Sequence, residues 1–573
     1  MLAAGVAQAQ GDLMSDTWAA TDALGRALPA AEQAGAPRTN RTVGIFYFLW
    51  HQSFAQHGPF DVSQILAARP DALQRPDGAG WGPPGVPHYW GEPLFGYYRN
   101  DDVWVLRKHA QMLANAGVDT LIFDATNAQI YHGEFLKLCE VFGQVRRDGV
   151  RAPQLCFMVN THAGATARKI YEALYRPGLH RELWFQWQGQ PLLIYDPKEA
   201  DAELKNFFTL RRAHWPFQMV NTENAWHWEA AYPQPYGFTT DPHKPEQVNV
   251  SVAQNLRASD GKVTNMSDGN ARGRGFHDGK QDASRAALDR GANCEEQWRR
   301  ARQLDPPFIM VTGWNEWIAG RFLRNGKTTF VDQYNREFSR DIEPMKGGHG
   351  DNYYYQLVAH VRGYKGARPV TPVQPQPIAV DGRFDDWAKV QPEFRDAPGD
   401  VLSRLAPGIG HSGTYTNLTG RNDILAAKVS ADTASIYFYV RTAAKLTPAS
   451  DPHWMLLFVD TDGRADTGWL GYDFVIGRNR TKPGWAALEK NSGGYRWTFI
   501  AEIPCASGEK EIELALPRAA LGLTAPLTEL QFKWADNLQQ TGDASDFTLH
   551  GDAAPDDRFN YRVRWPVAGT PKP

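Results

Sequence analysis

Cysteine is scarce in this chain. Its 573 residues hold four, at 139, 156, 294 and 505. No CxxC pair and no Cys/His ligand spacing occurs, so neither a disulfide framework nor a zinc site is indicated. Cys139 falls in a helix-like stretch and Cys156 in a strand-like one, which suits small core residues. Charge of one sign is not in excess either: Lys+Arg 61 against Asp+Glu 64 gives a net charge of −3. That balance offers nothing to nucleic acid or an anionic membrane. No run approaches the roughly 18 apolar residues of a membrane span. The run Gly273-Arg-Gly275-Phe-His-Asp-Gly279 has the wrong spacing for a phosphate-binding turn and follows no strand, so no nucleotide cofactor is expected.

Aromatic residues are abundant: 20 Trp, 21 Tyr and 28 Phe. Most must pack the interior, but aromatic faces also stack on the C–H faces of sugar rings. The length implies at least two domains. Residues 1–41 read as a lead-in, and the first ten, small and apolar, resemble the cleavage end of a secretory signal. A secreted or periplasmic location is the corresponding expectation.

From 42 to 365, short apolar runs alternate with amphipathic stretches. Strands are expected at 42–48, 120–124, 154–160, 192–196, 217–223, 248–254 and 308–313. Helices are expected at 103–117, 135–147, 167–174, 200–212, 295–305 and 352–364. Seven strands interleaved with helices fit an α/β fold, a (β/α)8 TIM-type barrel with one poorly marked unit. Residues 366–380 (GARPVTPVQPQPIAV) suit an extended linker. Beyond them, 381–573 alternate apolar and polar residues in short runs separated by turn signals, as in an all-β sandwich.

In a parallel barrel, working residues cluster at the C-terminal ends of strands. Cleaving a glycosidic bond takes a proton donor and a second carboxylate facing one cleft. Glu316, in Gly313-Trp-Asn-Glu-Trp317, is the first catalytic candidate, because flanking tryptophans would desolvate its carboxyl. Glu223 and Asp124 are candidates for the second. Trp50, His51, Asn160, Trp226, His227, Trp314, Asn315 and Trp317 stand at or beside strand ends and could bind substrate. Trp90 and Glu92 could do so from the aromatic loop His88–Tyr98. The polar stretch 259–282 could be a lid or a surface insertion.

The motif Gly313-Trp-Asn-Glu-Trp317, with Val43–Trp50 and Asp119–Asp124, resembles the glycoside hydrolase family 99 endo-α-mannanases and the WbsX-like domains of polysaccharide loci. The resemblance spans about residues 40–365 and implies a glycan-active (β/α)8 barrel. In that group the motif continues Trp-Asn-Glu-Trp-x-Glu-Gly. The second Glu is the acid/base there, and the first assists at the sugar 2-hydroxyl. Here Ala319 stands in the second position, so Glu316 would inherit the first role and the acid would come from Glu223, Asp124 or Glu92. Asp381-Gly-Arg-Phe-Asp-Asp-Trp387 and Phe458–Phe474 resemble family 9 carbohydrate-binding modules and their DOMON-like relatives. That likeness implies sugar held between rings such as Trp469, Trp485, Trp497 or Trp534. Asp460, Asp462 and Asp466 could gather a structural Ca²⁺, although their spacing fails the EF-hand pattern. The resulting expectation is a glycoside hydrolase acting on a polysaccharide or complex glycan without a cofactor. A non-catalytic glycan-binding protein and a polysaccharide lyase are the alternatives.

Overall fold

The computed structural model describes residues 12–566 except 52–56, 79, 219–220, 480–481 and 525. The signal-like first ten residues lie outside the described residues. Eight strands follow one another: β1 (Thr42–Tyr47), β2 (Thr120–Ala125), β3 (Gln154–Val159), β4 (Gln190–Ile194), β5 (Thr209–His214), β6 (Ala225–His227), β7 (Gln247–Ser251) and β8 (Phe308–Thr312). They pair in the order β6-β5-β4-β3-β2-β1-β8-β7. Chain order therefore runs round a ring, and each pairing is parallel. This is a (β/α)8 architecture whose seam lies between β6 and β7.

A side chain closes that seam where a backbone ladder does not. Gln247 Nε2 donates to His227 O at 2.8 Å, and Gln247 Oε1 accepts from His227 N at 2.8 Å. Gln247 is fully buried. One amide thus satisfies both backbone groups of an edge residue that would otherwise be orphaned in the interior.

Side-chain parity sorts each strand into two layers. Val43, Ile45 and Tyr47 of β1 face the surrounding helices, with Leu121 and Phe123 of β2. Phe46, Ile122, Met158, Ile194, Trp226, Phe308 and Met310 fill the barrel interior. Gly44 shares that inward parity; a Cβ there would meet the Phe308 ring at 2.7 Å. The same parity carries Phe48, Asp124 and Trp228 to the open end of the barrel.

Two elements differ from expectation. The helix read at 200–212 ends at Phe207, and Thr209–His214 is β5. The expected strand at 217–223 is absent among the described residues there; turn and loop lead into β6 at Ala225. β5 carries Arg211, whose charge is met by Glu246 at 2.6 Å inside the protein. Other elements follow their signals closely. The helix Val103–Asn115 starts where the Asp102 carboxylate accepts from Trp104 N and Val105 N.

After residues 366–380, which form neither helix nor strand, an 11-stranded antiparallel sheet takes over. It folds back on itself. The long strand Trp497–Ser507 pairs with Trp485–Asn491 along most of its length and with Glu511–Pro517 at its end. Rings such as Phe438 and Phe532, 5.4 Å apart, meet between the layers. This half is docked firmly on the barrel: Arg404 pairs with Asp102 at 2.7 Å, and Trp18 of the lead-in packs on Phe559. All four cysteines are buried, and none of them forms a disulfide. No helix among the described residues is long and apolar enough to cross a membrane.

Candidate active site

At the C-terminal ends of the strands lies a cleft of about 320 Å³. Its apolar walls are Phe46, Phe48, Trp50, Trp215, Phe217 and Trp228, and its acidic groups are Asp124, Glu316 and Asp332. Asp124 comes from the end of β2. Glu316 and Asp332 come from the excursion after β8, where Ile318–Arg324 and Lys327–Phe330 form a hairpin.

Arg340 organises these acids. Its Nη1 donates to Glu229 Oε2 at 3.0 Å, and its Nη2 donates to Glu316 Oε2 at 3.0 Å. Asp332 Oδ1 stands 3.9 Å from Nη2. The guanidinium lies over the Trp228 ring, 4.8 Å from its centre. Glu316 Oε2 also accepts from Gln333 Nε2 at 2.6 Å, and Glu229 Oε1 accepts from Asn255 N at 3.1 Å. Glu229 and Glu316 are 0% and 3% exposed, so their pairing carries a large desolvation cost.

One cation faces three carboxylates here, with Asp124 nearby, and the acids respond. Burial pushes Glu316 well above the usual carboxylate range despite Arg340. Burial raises Glu229 to about 7 against the opposing pull of Arg340. Asp124 is raised by burial and further by the like charge of Asp332, while the Thr126 N–H lowers it in part. Asp332, partly exposed at the cleft, is raised by partial desolvation, and Arg340 opposes that. A carboxyl raised in this way keeps its proton to higher pH than a free one, the direction that favours proton donation.

The other candidates take varied positions. Trp50 lines the cleft and stacks on Phe48 at 5.2 Å. Asn160 is exposed near the rim, accepting from Trp215 Nε1 at 3.2 Å. Glu223 lies in the turn before β6 and does not line the cleft, because the strand expected to end with it does not form. Glu92 is engaged by Lys346 away from the cleft. His51 is buried beneath the site: its Nε2 donates to Asn315 O at 2.8 Å, and burial brings its pKa down to about 4. The Asn315 amide accepts from Phe48 N at 2.9 Å and donates to Phe48 O at 3.1 Å, extending β1 by one residue.

The motif tryptophans are interior. Trp90 and Trp317 stack on each other at 4.8 Å. Trp314 meets His109 edge-on, and Trp226 packs on Phe308. His227 stacks on His214 at 4.2 Å, and its pKa falls to about 3 through burial and that neighbour. Ala319 pairs with His88 in a small antiparallel sheet and packs beside Phe330.

Asp332 and Arg340 were not among the sequence candidates, and Glu229 was read only as one of the residues following Glu223. Glu229 had a usable signal, standing two residues past the end of β6. Asp332 and Arg340 come after the hairpin that follows β8, too far along the chain for the strand-end rule to reach them.

In the C-terminal half, Trp469 and Trp534 are buried and Trp497 is half-buried. Trp485, 36% exposed, carries the Lys482 ammonium over its ring. Asp466 pairs with Arg464 at the surface, and it is Asp473 that gathers with Asp460 and Asp462.

No protein-family model and no curated protein matches the chain. Solved structures do match over its N-terminal part. The GH99 endo-alpha-mannosidase from Bacteroides thetaiotaomicron in complex with Bis-Tris-propane is 15% identical. That match covers 56% of this chain and 97% of the other, with a TM-score of 0.33. A second structure of the GH99 endo-alpha-mannosidase from Bacteroides thetaiotaomicron is 13% identical, covering 57% and 98%, with a TM-score of 0.34. A glycoside hydrolase-like protein is 11% identical, covering 57% and 95%, with a TM-score of 0.31.

Proposed function

We propose that this chain is a glycoside hydrolase acting on a polysaccharide or complex glycan in the cleft between Asp124 and Asp332. The observation that carries the reading is the placement of raised carboxyls under aromatic walls at the C-terminal face of the barrel. Asp124, whose burial raises its pKa above the ordinary carboxylate value, acts as the proton donor to the departing oxygen. Asp332 has a side chain 39% exposed and stands beside Arg340; it acts as the carboxylate that activates water or attacks the sugar. Glu316, fixed through Oε2, offers Oε1 to a sugar hydroxyl. Trp50 and Trp215 stack on the ring. A secreted or periplasmic location, and glycan held at Trp485, belong to the same proposal.

The test is incubation with a panel of plant, algal and microbial polysaccharides, reading reducing ends and ultraviolet absorbance together. New reducing ends without absorbance support hydrolysis. An unsaturated, absorbing product would replace it with a lyase. Retention on one glycan without any product would make the chain a binding protein.

A further inference from the structure

A second group of acids lies outside the cleft, where the sheet domain meets the barrel. Asp396 and Asp400 flank the turn Ala397-Pro398-Gly399 after strand Phe394–Arg395, and Asp552 opens strand Asp552–Ala554. One carboxylate oxygen from each lies within 4.8 Å of the other two. All three are buried, Asp396 at 3% exposure. Ile424 N donates to Asp552 Oδ2 at 2.6 Å, and Gln111 Nε2 donates to Asp400 Oδ2 at 3.2 Å.

Independently of that clustering, the group is short of donors. Neither oxygen of Asp396 has a hydrogen-bond partner, and neither does Asp400 Oδ1. A buried carboxylate with both oxygens unpartnered is among the costliest arrangements a protein interior can hold. Lys108, Lys533 and Arg107 face the group across space and direct their nearest contacts elsewhere: Lys108 stands 3.9 Å from Asp556, Lys533 donates to Pro555 O, and Arg107 donates to Asp148 and Pro398 O.

Oxygens bound to a Ca²⁺ ion at about 2.3–2.6 Å lie at most about 5 Å apart, which this spread matches. The donors are all hard oxygens, with no His or Cys to favour zinc. We infer that Asp396, Asp400 and Asp552 bind a Ca²⁺ ion that fastens the sheet domain to the barrel. The turn it would fix is the one that touches the barrel helix Val103–Asn115, through Gln111 on Asp400 and Arg107 on Pro398 O. The acids at Asp460, Asp462 and Asp473 lack this feature: Asp460 Oδ1 accepts from two backbone N–H groups and Asp473 Oδ2 from Thr461.

The experiment uses the full chain, stripped with EGTA and dialysed, then melted with and without 1 mM Ca²⁺ (roughly 100 times a Kd of about 10 μM). Wild type, Asp396→Asn, Asp400→Asn and Asp462→Asn are compared. The expected result is a rise of about 3 °C or more with Ca²⁺ in wild type and Asp462→Asn, and no rise in the other two. Without Ca²⁺, Asp396→Asn should melt at or above stripped wild type, because the uncompensated charge is gone. The proposal is overturned if Ca²⁺ leaves the wild-type melt unchanged, or raises Asp396→Asn and Asp400→Asn as far as wild type. Should Asp396→Asn fail to fold even with Ca²⁺, Asp400→Asn decides alone by the same criterion.

Discussion

Arg340 holds Glu316 at 3.0 Å in the interior, and its other amino group holds Glu229 at the same distance. Two buried acids on separate elements thus share one cation. The Gly-Trp-Asn-Glu-Trp segment after β8 and the end of β6 are tied together beneath the cleft.

Removing that cation strands both carboxylates. Arg340→Met is predicted to destabilise the fold by about 3–5 kcal/mol in urea unfolding. Arg340→Lys should recover only part of this, since an ammonium cannot span two acceptors as the fork does. A loss under about 1 kcal/mol for Arg340→Met would show that the acids carry no charge for it to neutralise.

The seam of the barrel makes a separate prediction. Gln247→Leu leaves His227 N–H and C=O without partners, at about 2–4 kcal/mol. Gln247→Glu keeps the acceptor and loses the donor, so it should fall between. Equal stability of all three proteins would mean that the seam is closed by something other than this amide.

His51 links stability to pH. Its folded pKa of about 4 lies below the ordinary 6.5, through burial. The unfolded chain therefore takes up a proton that the folded chain refuses. The contribution is fully present above pH 6.5 and is lost as pH falls through about 4. The advantage of wild type over His51→Gln should shrink by up to about 3 kcal/mol across that window, at ~1.36 kcal/mol per unit. A pH-independent difference would mean that folding leaves the His51 pKa unchanged.

Trp215 should matter for binding more than for folding, being half-buried at the wall with its Nε1 on Asn160. Trp215→Ala is predicted to raise KM several-fold, in line with about 1 kcal/mol of ring stacking, with little change in kcat or melting temperature. A fall in kcat at unchanged KM would move this ring from the wall to the reacting centre.

Legibility in the sequence followed the physics of each element. Strands such as Thr120–Ala125 were visible because both faces are apolar. β5 was hidden, since Thr209–His214 carries two arginines and a histidine, and its charge is met by Glu246, far along the chain. That error displaced one strand and brought Glu223 forward wrongly as a strand-end residue. Asp124 and Glu316, which line the cleft, could be read as acids after strand ends because β2 and β8 are marked clearly. Trp90 and Trp317 looked like sugar platforms, but no local pattern separates a ring facing solvent from one stacked on a distant partner. Asp332 and Arg340 belong to the long return after β8, where only the folded chain shows that they meet the barrel mouth.

The most direct measurement is the rate of glycan hydrolysis by wild type, Asp124→Asn, Asp332→Asn and Glu223→Gln on the substrate that the panel identifies. Loss of either cleft carboxylate should lower kcat by about 100-fold or more, while Glu223→Gln stays near wild type. Undiminished turnover by Asp124→Asn and Asp332→Asn, or its loss in Glu223→Gln alone, would contradict the assignment of the cleft.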